Sequence, residues 1–431
     1  MTVIHHTHHI QGHRRISWAL FAGMVLFALN SYPMMYPGYD FAFHLLTIRE
    51  PGHHSNNDWH TAWAFVFQML QVPDVDVTRA LIIHRTQTLL TLGLLLASAY
   101  LFLGVALLNL DAHARLQLAV MAVLIWLVMH GTYSSPAGEP HYSARHVLSW
   151  LQWYSVNYQI SLPISVFASA TLYRAIHVRN GLHSLAWGSL TIVAAYLAAR
   201  VHAAELVYFL FAALGMALIH LLSNNNWRFL FFAGLLGVAA LWLGLQFTYR
   251  QPLILELMYP SRWSELVAKM NEFGHLLVGN NLNRSETTWH GLYSVSLLAA
   301  VGTMVLAKEK GAVQLALLLV FSSLLAIGIQ IHHSAGLLGL VIGEYVTWRF
   351  GFSTLLFVAI PLLVGVWLQT RSQNDSPLLT SILTLGLPAG LLVLVALYSL
   401  WFEPLNPTYN FAKSVLFSLN PVLGYFPGLQ P

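Results

Sequence analysis

The chain has 431 residues, 57% of them hydrophobic and only 8% charged, at a mean hydropathy of +0.62. A soluble globular chain carries roughly 25% charged residues, so this composition excludes an ordinary soluble fold and points to an all-α polytopic membrane protein. The small net charge of +4, with its bases scattered between apolar runs, excludes a nucleic-acid footprint, and the lack of cysteine excludes disulfides and thiolate metal sites.

The N-terminus carries His5, His6, His8, His9 and His13 ahead of Arg14-Arg15. It reads as a solvated tail, 1–15, with metal binding by the histidine tract as the alternative. The apolar run behind it has no small-residue cleavage site and passes into Tyr32-Pro33-Met34, so it reads as a span and not as a removable leader. A span needs about 20 mostly apolar residues. Eleven are expected, at about 16–34, 88–109, 115–132, 157–174, 184–199, 204–222, 228–247, 291–307, 312–331, 351–369 and 378–401. Ser334–Tyr345 is apolar but too short to cross, and reads as re-entrant or interfacial. Residues 1–431 form a single transmembrane domain in this reading. No internal repeat is evident, so an inverted-repeat transporter gains no support.

Orientation follows from placing Arg14-Arg15 in the cytoplasm and alternating the spans. The cytoplasmic connections are then Asp111–Arg115, Arg174–His183, Ser223–Arg228, Lys308–Lys310 and Thr370–Pro377. With the N-terminus they hold a net +6, against −2 on the opposite side. That asymmetry agrees with the span count. The outer side takes the long segments 35–87, 133–156 and 248–290 and the tail 403–431. Within them Trp59–Leu70 and Ser261–Leu277 show helical apolar periodicity with polar faces, the pattern of helices lying at a membrane surface.

Nearly every residue able to do chemistry falls on that outer side. In Tyr39-Asp40-Phe41-Ala42-Phe43-His44-Leu45, just beyond the first span, Asp40 and His44 stand four residues apart, on one face of a helix. A carboxylate at the membrane–water boundary is partly desolvated and can take a proton from an attacking hydroxyl or hold a metal. The structural alternative is an N-cap for a helix starting near Phe41. His44 can orient Asp40 or touch a phosphate, or be a satisfied interfacial histidine. Glu50, Asp58 and His60 complete the first loop; Glu139, His141, Arg145 and His146 lie in the second. Arg200 and His202, with Glu205 beyond, occupy a short turn suited to a lipid phosphate, because the guanidinium binds phosphate oxygens bidentately. An Arg200–Glu205 pair is the bland reading. Arg349, after Glu344, is a similar candidate, and His332-His333 ends a span. Glu256, Arg262, Lys269 and Glu272 lie in the third loop. A divalent cation held by Asp40, Glu139 and His141 is conceivable. The aromatics Trp59, Trp63, Phe65, Phe67, Trp150, Trp153 and Tyr154 read first as an interfacial belt. Gly-rich phosphate loops, the G-x-S-x-G elbow and H-E-x-x-H are absent.

An acidic residue just after the first span, many spans and a long first outer loop with surface helices together resemble the GT-C superfamily of integral-membrane glycosyltransferases. The resemblance is architectural over most of the chain and residue-specific at Asp40 and, more loosely, His44. It implies a polyprenyl-phosphate or polyprenyl-pyrophosphate sugar donor, a glycan, lipid or protein acceptor, and Asp40 as general base. The assignment of Arg200, His202 and Arg349 to the donor phosphate comes from their position. Glu139, His141, Arg145, His332 and His333 are further substrate-contact candidates. The paired-acid D-x-D and E-x-D motifs of better-known branches are missing. The expected location is the bacterial inner (plasma) membrane, with the active face extracytoplasmic. Two rivals remain: a polymerase or ligase of lipid-linked surface polysaccharide, relying on Arg250, Arg262, Lys269 and Arg284, and a transporter or flippase, for which His220 is one of the few ionisable groups near a span interior.

Overall fold

The structure is a computed structural model, and it describes residues 39–50, 58–129, 156–201, 206–224, 291–331 and 355–370, with Ala19, Ala22, Gly23 and Val25. Among the described residues all regular structure is helical. In chain order the helices are α1 Tyr39–Arg49, α2 Asp58–Met69, α3 Asp76–Ala106, α4 Ala112–Met129, α5 Val156–His177, α6 Gly181–Val201, α7 Leu206–Asn224, α8 Gly291–Leu306, α9 Lys310–Ile331 and, after a 3₁₀ turn at Leu355–Val358, α10 Ala359–Thr370. Among the described residues, two stretches are long and apolar enough to cross a membrane, Thr78–Ala106 within α3 and α6 itself.

Eight of the expected apolar runs coincide with α3 to α10. The runs at 228–247 and 378–401, Ser334–Tyr345 and Ser261–Leu277 lie outside the described residues, as does all but a few positions of 16–34. One boundary is corrected. The helix expected to start near 88 begins at Asp76 and runs for 31 residues, so the outer segment read as 35–87 gives up its last turns to α3. The polar residues Arg79, His84, Arg85 and Gln87 had broken the apolar run. The backbone continues through them because Arg79 finds partners: its Nη1 bonds Asp74 at 2.8 Å and its guanidinium lies 5.2 Å from the Phe67 ring centroid.

Short connections are set by local chemistry. Asp111 caps α4, its Oδ1 accepting from Ala114 N at 2.8 Å. Asn180 caps α6, its Oδ1 accepting from Leu182 N at 3.0 Å. Both residues satisfy N–H groups that the first helical turn leaves without intrahelical partners. Helix α2 closes in a Schellman turn. Val72 N reaches Phe67 O at 2.9 Å and Gln71 N reaches Gln68 O at 3.2 Å, with Gln71 at φ 51° where glycine is the usual residue.

The core forms where α3, α4, α5, α9 and α10 meet. Trp126 of α4 stands edge-on to Phe357 at 5.1 Å, and Phe102 of α3 meets Tyr173 of α5 at 5.5 Å. Small residues allow the closest crossings. A Cβ at Gly311 would stand 3.1 Å from the carbonyl oxygen of Val105, and one at Gly215 would stand 2.8 Å from Phe321 Cδ1. Helices α5 and α6 pack through Ala168, Ala194, Ala195, Ala198 and Ala199, with Thr191 Oγ1 donating to Thr171 Oγ1 at 3.0 Å.

These contacts give the bundle two distinct ends. At one end the 107–111, 178–180 and 307–309 connections come together. Asn109 Nδ2 donates to Glu309 Oε1, the Tyr173 hydroxyl donates to Gly311 O at 3.3 Å, and His177 sits between the Tyr173 carbonyl and the Gln314 side chain, at 2.8 and 3.2 Å. These are the connections that charge counting put on one side. At the other end, α1 and α2 cap the bundle.

Candidate functional site

Helix α1 presents Leu45, Thr47 and Ile48 inward, and α2 presents Trp59, His60 and Phe67. The two helices meet through their histidines. His44 is 8% exposed and His60 4%; His44 Nδ1 lies 2.8 Å from His60 Nε2, and the ring centroids lie 5.0 Å apart with 24° between planes, edge to edge. Trp59 is set edge-on against both, at 5.6 Å from His44 and 5.2 Å from His60. A hydrogen bond between two imidazoles needs one N–H and one bare nitrogen, so at least one ring is neutral when the bond forms. The aromatic ladder continues one turn at a time, Trp59 to Trp63 at 6.3 Å and Trp63 to Phe67 at 5.5 Å, which is the i, i+4 spacing of one helix face.

Two ionic ties fix this cap to the bundle. Asp58 Oδ2 accepts from Arg200 Nε at the end of α6, and Arg200 also lies 5.9 Å from the Tyr196 ring centroid. Asp74, in the turn between α2 and α3, takes both Arg49 Nε at 3.0 Å and Arg79 Nη1 at 2.8 Å. One carboxylate therefore joins the end of α1 to the start of α3.

The sequence-predicted residues divide accordingly. His44 is buried and its Nδ1 meets His60. Asp40 lies at the second position of α1, inside the first turn and not ahead of it, because the helix opens at Tyr39. Its backbone places it one turn before His44. Arg200 pairs with Asp58; Glu205 lies outside the described residues. His202, Arg349, Glu139, His141, Arg145, His332 and His333 also lie outside them. The sequence marks Asp58 and His60 as polar candidates of the first outer loop, His60 within the helical stretch Trp59–Leu70, but gives neither a partner. Their partnerships span 142 and 16 residues, and no spacing rule links positions so separated. Among the described residues, no three His, Asp or Glu side chains converge as a metal-binding group.

Compared with known proteins, the chain matches no family model, no curated protein and no solved structure.

Proposed function

We propose that the chain is an integral-membrane glycosyltransferase that moves a sugar from a polyprenyl-phosphate or polyprenyl-pyrophosphate donor to a glycan, lipid or protein acceptor on the extracytoplasmic side of a bacterial inner membrane. The observation that carries this reading is the asymmetry of the two bundle ends. The α1–α2 end gathers a carboxylate position, two apposed imidazoles and a guanidinium within a few turns of one another. At the other end, short connections are taken up by helix caps and interhelix hydrogen bonds.

In the proposed inverting displacement, Asp40 takes the acceptor hydroxyl proton as that oxygen attacks the anomeric carbon. The bond from that carbon to the donor phosphate oxygen breaks, and the phosphate departs with the bonding electrons. Arg200, His202 and Arg349 are the proposed stabilisers of the charge it acquires. Arg200 meets Asp58 through Nε, and its planar guanidinium is the group whose geometry suits phosphate oxygens.

The test is transfer of labelled sugar from a polyprenyl-linked donor by protein in nanodiscs. The reading expects turnover in the parent and a loss in Arg349→Lys, because an ammonium cannot reproduce the bidentate geometry. No transfer from any lipid-linked donor, together with movement of the donor between leaflets when the protein is placed in sealed vesicles, would replace it with a flippase. Loss confined to Arg262→Ala or Lys269→Ala in 248–290 would instead favour a polymerase or ligase.

A further inference from the structure

We infer that the groove between α7 and α9, at the bundle end opposite α1 and α2, binds one anionic phospholipid, its phosphate held by Lys310 and His220 and its acyl chains laid along exposed leucines of both helices. Basic groups from three helices gather there. His220 of α7 lies within electrostatic reach of His177 on α5 and of Lys310 on α9. His177 is itself tied to α9, its Nε2 lying 3.2 Å from Gln314 Oε1, one turn beyond Lys310. Gathered cations repel one another, and a negatively charged group placed among them is attracted by all of them. The local charge balance has the same sign. Among the described residues at this end, five Lys and Arg stand against two acids, Asp111 and Glu309. Asp111 caps α4, and Glu309 accepts from Asn109. A basic pocket between membrane helices is the setting in which anionic headgroups bind.

The apolar half of the site follows from how the two helices cross. A Cβ at Gly215 of α7 would stand 2.8 Å from Phe321 and 2.9 Å from Leu318 of α9, so the helices meet closely there. Leu214 and Leu317, the sequence neighbours of that contact, are exposed, and so is Leu218, one turn nearer the basic end. Helix α7 ends and α9 begins at that end. At about 1.5 Å per residue, His220 stands about 8 Å along α7 from Gly215, and Lys310 about 12 Å along α9 from Leu318. A leucine surface therefore runs into a cationic end over a distance on the order of one headgroup layer. That is the order of groups in a phospholipid, acyl chains first and phosphate above them. The inference rests on the chain being embedded in a membrane and not on the glycosyl-transfer reading.

The probes are phosphatidylglycerol and, as a zwitterionic control, phosphatidylcholine, added to full-length protein in non-ionic detergent and counted by native mass spectrometry. The expected result is one phosphatidylglycerol retained at concentrations where phosphatidylcholine is not. Lys310→Gln should weaken it about fivefold, the scale of one basic residue at an anionic surface, and adding His220→Gln should weaken it further. Lys310→Arg keeps the charge and should keep the lipid. Arg179→Gln removes an exposed base in the α5–α6 connection and should leave the affinity as it is. Glycerophosphoglycerol, the same headgroup without acyl chains, should not displace the lipid at equal concentration. Undiminished affinity in the double variant, or an equal loss in Arg179→Gln, overturns the site. Displacement by the bare headgroup at equal concentration overturns the lipid assignment in favour of a free phosphate ester. Equal retention of the two lipids overturns the site while leaving the membrane reading in place. A chain that stays in solution without detergent and retains neither lipid overturns both.

Discussion

Asp58 opens α2 and Arg200 closes α6, and the two side chains pair across 142 residues of sequence. Arg200 is 17% exposed and Asp58 50%, so the pair is neither a fully solvated surface bridge nor a buried one. Surface pairs contribute about 0–1 kcal/mol, and breaking a buried pair costs roughly 3–5 kcal/mol. A coupling energy of about 1 kcal/mol is expected between Asp58→Ala and Arg200→Ala in a double-mutant cycle read by apparent Tm. Asp58→Arg with Arg200→Asp should regain part of what either reversal loses. Strictly additive single mutants would show that the contact does not hold α2 to the bundle.

Two glycines should respond to alanine in opposite directions. At Gly311 a new Cβ would press on the Val105 carbonyl at 3.1 Å and on the Ala106 Cα at 3.5 Å. Both are backbone atoms at the end of α3, so α9 has to move away. Overpacking of that kind costs about 1–3 kcal/mol. At Gly93, inside α3, a Cβ meets nothing within 4 Å, and alanine should stabilise by about 0.5–1 kcal/mol through helix propensity. Thermal unfolding of the two variants beside the parent checks this. A Gly311→Ala protein as stable as the parent would mean that the α3–α9 crossing is looser than it stands.

Much of the bundle was legible beforehand because its helices are long apolar runs broken by Asp111 and Asn180, both good caps. The true start of α3 was not. Apolar counting stops at the polar cluster Arg79–Gln87, and what carries the helix through it is the tertiary support of Asp74 and Phe67. The candidate site was half legible for the same reason. Asp40 and His44 share a helix, so their spacing is informative. His60 and Arg200 stand out as polar residues of the outer side, but their partners His44 and Asp58 are fixed by loop closure, which leaves no periodic trace.

Joining the 107–111 and 307–309 connections at one end makes a topological prediction. Asn109 and Glu309 are hydrogen-bonded, so reporter fusions at Asn109 and Lys308 should give the same signal. A fusion at His202, four residues before α7 begins, should give the opposite one. Charge counting adds that the shared side is the cytoplasm and that a fusion at Pro404 should report with His202. Opposite signals from Asn109 and Lys308 would contradict the fold as well as the orientation.

The remaining prediction separates two roles for Asp40. At the second position of α1, a carboxylate stabilises the helix by interacting with the positive N-terminal end of the dipole, an effect of roughly 0.3–1 kcal/mol. Asp40→Asn removes that charge while preserving size and hydrogen-bonding capacity. If helix stabilisation is its whole role, the variant should lose that small amount of stability and keep its turnover. If Asp40 takes the acceptor proton, turnover should fall roughly 10²–10⁴-fold, with apparent Tm nearly unchanged. A carboxylate acting only as a metal ligand should leave activity recoverable at high Co²⁺ or Zn²⁺, whereas a missing base should not be rescued by any metal concentration. Measuring transfer and Tm for parent and variant, with and without added metal, therefore assigns the residue: near-parental turnover without metal removes Asp40 from the chemistry, rescue by metal makes it a ligand, and an unrescued loss in a folded protein makes it the base.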